Sequence, residues 1–108
     1  MEFDPSNNVI KLCVQGMDMD EKGERDEARR MFLRAWNEST NDFEKFTAAY
    51  YVARYQENVR DKLKWLETAL QFALKIDDES VRAAFPAVYS DIAKCYEELG
   101  DLDNARKN

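Results

Sequence analysis

The side chains that could do chemistry are few in this chain, and their spacing argues against most of it. There is no histidine, which removes the commonest general base, triad member and metal ligand. The three glycines stand alone and form neither GxGxxG nor GxxxxGK, so no backbone cradle for phosphate is encoded. DMDEKG, beginning at Asp18, opens like a calcium loop, but Lys22 holds a ligand place and Arg29 stands where the closing glutamate belongs. Glu97-Glu98 and Asp77-Asp78-Glu79 read as solvated helix ends. Cys13 and Cys95 lack CxxC spacing and read as buried thiols of a reducing compartment. No enzyme, no cofactor and no metal are expected.

The bounds agree with a small binding or structural protein. A chain of 108 residues with 44% hydrophobic content can bury one continuous core, so residues 1–108 are expected to form a single domain. Sixteen basic against twenty-two acidic residues give a net charge of −6, which disfavours nucleic acid and anionic membrane and favours a basic peptide or protein. No stretch reaches the roughly 18 apolar residues of a membrane span. The acidic start MEFDPSNN lacks the layout of a secretion signal, so a cytoplasmic location is expected.

The elements are helices. The first is expected from about Asn7 to Lys22, with Val9, Leu12, Cys13, Gly16 and Met19 inward, and Gly16 admitting a close neighbour. The second, about Glu24 to Glu38, turns Ala28, Met31, Phe32, Ala35 and Trp36 inward, with Phe32 filling the gap the alanines leave. Asp42 is expected to cap a third helix that buries Phe43, Phe46, Ala49, Tyr50 and Ala53 and leaves Tyr51, Arg54, Tyr55 and Asn58 on another face. Asn58, or the residues after it, is expected to turn in the left-handed region. A fourth helix from about Asp61 carries Leu63, Leu66, Ala69, Leu70 and Ala73. Ser80 is expected to cap a fifth, running to Leu99 with a bend at Pro86, in preference to a helix that begins at about Ala84 with Pro86 in its first turn. Gly100 and Asp101 then turn the chain into a sixth helix near Leu102, cut short at Asn108.

The two ends of the chain repeat one another. Leu12, Gly16, Met19, Gly23 and Ala28 each stand 77 residues before Tyr89, Ala93, Tyr96, Gly100 and Ala105. The turns EKGERDEA and ELGDLDNA share the glycine, the acidic residue after it, the aspartate and the alanine. This pattern resembles the tetratricopeptide repeat, a helix-turn-helix unit of roughly 34 residues. The first unit departs from it with Met19 in place of the usual tyrosine and Gln15 where an aliphatic is expected. The resemblance implies an all-α fold of antiparallel helix pairs stacked as a short right-handed α-solenoid, with about five full helices plus a truncated sixth. The units would span about 7–40, 42–76 and 80–108. Two standard units would set the outer repeats roughly 68 apart, and the surplus is assigned to longer helices and the DDES connection.

The resemblance also implies a function. In that family the first helices of successive units line a concave groove that takes a protein or peptide segment. Carried over by position, the groove holds Ile10, Cys13, Met17 and Asp20, then Tyr51, Arg54 and Asn58, then Ala87, Ser90, Lys94 and Glu97. Cys13 and Met17 stand where a chaperone carboxylate clamp needs lysine and asparagine, so that clamp is not expected. The alternative is a self-assembling module, a homo-oligomer through the groove or through the incomplete C-terminal unit. An rRNA methyltransferase-like activity, a label some small repeat proteins carry, is disfavoured by the missing cofactor loop and the acidic charge.

Overall fold

The computed structural model describes residues 7–100. Its helices are α1 (Asn8–Glu21), α2 (Arg25–Glu38), α3 (Asp42–Ala53), α4 (Val59–Ala73), the single turn α5 (Glu79–Arg82) and α6 (Phe85–Glu98). The expected sixth helix from Leu102, its cap Asp101 and the repeat member Ala105 lie outside the described residues.

Short polar side chains start the helices. Asn7 accepts from the amides of Val9 and Ile10, Asn41 from Glu44, Asn58 from Arg60 and Asp61, and Asp78 from Ser80. Each supplies an acceptor to backbone donors with no intrahelical partner. Three sequence expectations are corrected here. Asn41 rather than Asp42 caps α3, and Asp78 rather than Ser80 caps α5, because in each case the earlier residue, by one place and by two, has the extended backbone a cap requires. Asn58 has φ −85° and ψ 126°: its backbone is extended, and it caps α4 rather than making a left-handed turn. The left-handed positions among the described residues are glycines, Gly23 at φ 80° and Gly100 at φ 79°. After α1, Gly23 N–H donates to Asp20 O and Glu24 N–H to Met19 O, the paired closure of a helix that ends on glycine.

Pro86 produces a break where a bend was expected. Ala83 and Ala84 keep near-helical dihedrals, but the hydrogen-bond ladder stops there, and α6 begins at Phe85 with Pro86 in its first turn. Proline has no N–H to give and is tolerated only where that donor would be unpaired.

The repeat is visible in the helix starts. α3 begins 34 residues after α1, and α4 begins 34 after α2, so Asn8 corresponds to Asp42 and Arg25 to Val59. α6 occupies Phe85–Glu98, 77 residues on from α1 at both of its ends. The surplus therefore lies in the connection between α4 and α6, which holds α5, together with one added residue in α4. Longer helices contribute little of it.

Two hydrophobic clusters sit on either side of α3. One joins Val9, Leu12, Cys13, Ala28, Phe32 and Ala35 to Ala48, Val52 and Tyr55; the other joins Phe46, Ala49 and Ala53 to Leu63, Leu66, Ala69, Val88 and Ile92. Because α3 is packed on both flanks, Tyr55, expected on a face apart from the buried one, is buried. Trp36 closes the seam between α2 and α4, edge-on to Trp65 with centroids 5.1 Å apart, while Lys45 Nζ lies 4.2 Å above its ring.

Candidate functional site

Side chains link three helices, α1, α3 and α6. Between α1 and α3, Tyr51 O–H points to Met17 Sδ at 3.3 Å, and the Tyr55 hydroxyl is hydrogen-bonded to Asp20. Between α3 and α6, Tyr50 O–H donates to Asp91 Oδ2 at 2.8 Å. Tyr51 also stacks on Phe32, with centroids 4.8 Å apart and planes 6° from parallel. Arg54, which caps the C-terminal end of α3, holds its guanidinium 5.9 Å from the Tyr51 ring.

The phenols are held in their protonated form. Burial, then the hydrogen bond to Asp91 and its charge, pushes Tyr50 up to about 12. Burial comes first for Tyr55 as well, followed by the hydrogen bond to Asp20, and burial raises Tyr51. Each therefore donates to its partner across the physiological range.

The residues expected to line the groove divide into two groups. Ile10 and Cys13 are 6% and 3% exposed, so they belong to the core between α1 and its neighbours and offer little to a ligand. Met17 and Asp20 lie against the tyrosines of α3, with Met17 38% exposed. Tyr51 is half-buried, whereas Arg54, Ala87, Ser90, Lys94 and Glu97 are exposed. Asn58 is exposed too, but its side-chain oxygen is engaged in capping α4. The structure thus brings Met17, Asp20, Tyr51 and Arg54 together and sets Ala87, Ser90, Lys94 and Glu97 along α6.

Sequence reasoning missed a pocket. Tyr50 and Arg54 of α3, Lys62 and Leu66 of α4, and Asp91 of α6 line a cavity of about 480 Å³. Tyr50 reads as a core residue by its spacing, and α4 reads as an outer helix, so neither pointed to it. The signal available was the repeat itself. Gly16 and Ala28 pack α1 against α2, and 34 residues later stand Tyr50 and Lys62, two large polar-tipped side chains where the first unit has its smallest.

Among the described residues no cluster of three or more histidine, cysteine or acidic side chains is placed to hold a metal ion. Cys13 is held up at about 11 by burial, away from the thiolate a nucleophile needs. Among the described residues no helix is long and apolar enough to cross a membrane.

The crystal structure of the TPR domain of Arabidopsis FLU is similar to this chain, with a TM-score of 0.71 at 25% sequence identity, over 92% of this chain and 86% of that one. The chain has a tetratricopeptide-repeat-like fold. No family model matches the sequence, and no curated protein does. A TPR-like neighbour supports a protein-interaction module in general and fits a protein without catalysis. Tyr50, Tyr51 and Tyr55 are side chains that join α1, α3 and α6 within this fold.

Proposed function

We propose that this protein binds a peptide or protein segment along the face formed by α1, α3 and α6, as a non-catalytic interaction module of a single domain. The observation that carries the reading is the row of Met17, Asp20, Tyr51 and Arg54, continued by Ser90, Lys94 and Glu97. It combines aromatic surface, a polarizable sulfur and charges of both signs on rigid helices. Aromatic residues with two side-chain torsions supply contact area at low entropic cost, and arginine supplies directional donors. An extended or helical segment suits such a face, because a helical row presents its side chains at regular intervals.

The test is a display selection of random capped peptides on the 108-residue protein, followed by NMR mapping of the selected binders. Binders that shift the amides of Met17, Tyr51, Arg54, Ser90 and Lys94, and that lose at least tenfold in affinity with Tyr51→Ala, support the reading. Binders that map to the exposed side of α2 or α4 overturn it. Light scattering over a range of concentrations accompanies the selection. A dimer that buries the same face without any peptide would place self-assembly ahead of partner binding.

A further inference from the structure

In a hairpin of this repeat the tight contact between the paired helices is made by small residues. Gly16 of α1 and Ala28 of α2 are both buried, and Phe32 fills the space beside them. The corresponding residues of the next hairpin, 34 positions on, are Tyr50, Lys62 and Leu66. A tyrosine and a lysine cannot interdigitate as a glycine and an alanine do. With Arg54 and Asp91 they line a cavity of about 480 Å³.

The cavity is unusual in its charge. Lys62 is half-buried, at a place the repeat otherwise gives to alanine, and it makes no ion pair among the described residues; Arg54 makes none either, and its neighbour is the Tyr51 ring. The ion pairs found elsewhere, such as Lys22 with Asp18 and Arg34 with Glu38, show that this acidic chain readily supplies partners for its cations. Asp91, the carboxylate in the wall, is engaged by the Tyr50 hydroxyl. Leu66, almost wholly buried, makes an apolar floor. The lining thus carries two cations against one anion above a surface fit for methylene groups.

We propose that this cavity is a subsite for the carboxylate of an aspartate or glutamate side chain carried by a bound partner segment, with Arg54 and Lys62 as its cations. The inference rests on the interaction face described above and gives that face one point of sequence selectivity. It also reverses, locally, the preference for basic partners that the net charge of the whole chain predicts. Long-range attraction and short-range recognition act at different distances, since salt screens the first within about 10 Å.

The experiment is an NMR titration with N-acetyl-glutamate N-methylamide, and in parallel with the glutamine analogue. The expected result is a saturable shift of the Arg54 side-chain N–H and the Leu66 methyl groups with the glutamate compound alone. Lys62→Ala restores the residue found in the first hairpin, so it should fold, and together with Arg54→Gln it should weaken the effect at least tenfold. Equal shifts from both compounds, shifts of the same size at the exposed Arg30 and Arg34, or no saturation up to about 100 mM would each overturn the proposal. The peptide selection separates this failure from that of the face as a whole. Binders that occupy α1, α3 and α6 without an acidic residue, and that keep their affinity in Lys62→Ala, would refute the subsite and leave the face standing.

Discussion

The ring of Phe32 occupies the space that a side chain at Gly16 would need: a Cβ built there would stand 2.7 Å from two of the ring carbons. Gly16→Ala sets two effects against each other. Alanine favours the helix by about 1 kcal/mol over glycine, while overpacking a filled core costs about 1–3 kcal/mol. Because Phe32 is fully buried and itself stacked on Tyr51, it has little room to withdraw, and the steric term should win. Urea unfolding is expected to show a net loss of up to about 2 kcal/mol, recovered in part by adding Phe32→Leu. A gain in stability for Gly16→Ala would mean that the close approach is not required.

That relationship was legible in the sequence, since a glycine inside a helical stripe and a bulky residue opposite two alanines imply each other. The terminal repeat was legible for the same reason: glycine and alanine at fixed spacing record how near two helices come. The pocket was not. Helical periodicity tells which face a residue occupies but not which residue on a distant helix it meets, and Tyr50 and Asp91 lie 41 positions apart. Asp91 is the neighbour of Ser90, which the family register selected, so that expectation missed it by one place. Pro86 was ambiguous because alanines on its N-terminal side favour a helix whether or not the proline interrupts the ladder. Asn58 was misjudged because asparagine serves equally as a helix cap and a left-handed turn, and only the backbone decides.

Glu44 should make the stability of the protein fall in acid. It is only 6% exposed, which by itself would raise its pKa, but it accepts hydrogen bonds from Asn7 Nδ2 at 2.8 Å and from the amide and hydroxyl of Thr40. These outweigh burial, and its carboxyl titrates below the ordinary value. A lowered native pKa stabilises the fold at pH values above the unfolded carboxylate range, and the contribution disappears as pH falls through the native value. Glu44→Gln is expected to cost about 1.5–3 kcal/mol near neutrality and to flatten the loss of stability below about pH 5, as read from urea midpoints across the acid range. An unchanged acid slope would show that the carboxylate is not held by these bonds.

Both cysteines should be silent toward thiol reagents in the native protein. Cys13 and Cys95 are buried, and burial raises both thiols, Cys13 to about 11. Since the thiolate is the reactive form, labelling should require opening of the fold and follow its unfolding equilibrium. The check is the rate of reaction with a chromogenic disulfide reagent in increasing urea. Rapid labelling of either thiol without denaturant would show that its helix opens locally, well below the cost of global unfolding.

Tyr50 and Asp91 should be coupled, because their hydrogen bond ties α3 to α6, two helices that share one core with α4. Tyr50→Phe removes the donor and leaves Asp91 without it, at an expected cost of about 1–2 kcal/mol. Asp91→Asn should cost less in the Tyr50→Phe background than in the natural protein, the difference being the coupling energy. The same bond has a signature in base. Burial and Asp91 raise Tyr50 to about 12, so the stabilisation is complete below the ordinary tyrosine pKa near 10 and is lost as pH rises toward the native value. Stability curves of the natural protein and Tyr50→Phe should therefore converge between about pH 10 and 12. Parallel curves in that window would show that the phenol titrates as a free tyrosine does and that the link between α3 and α6 is made by packing alone.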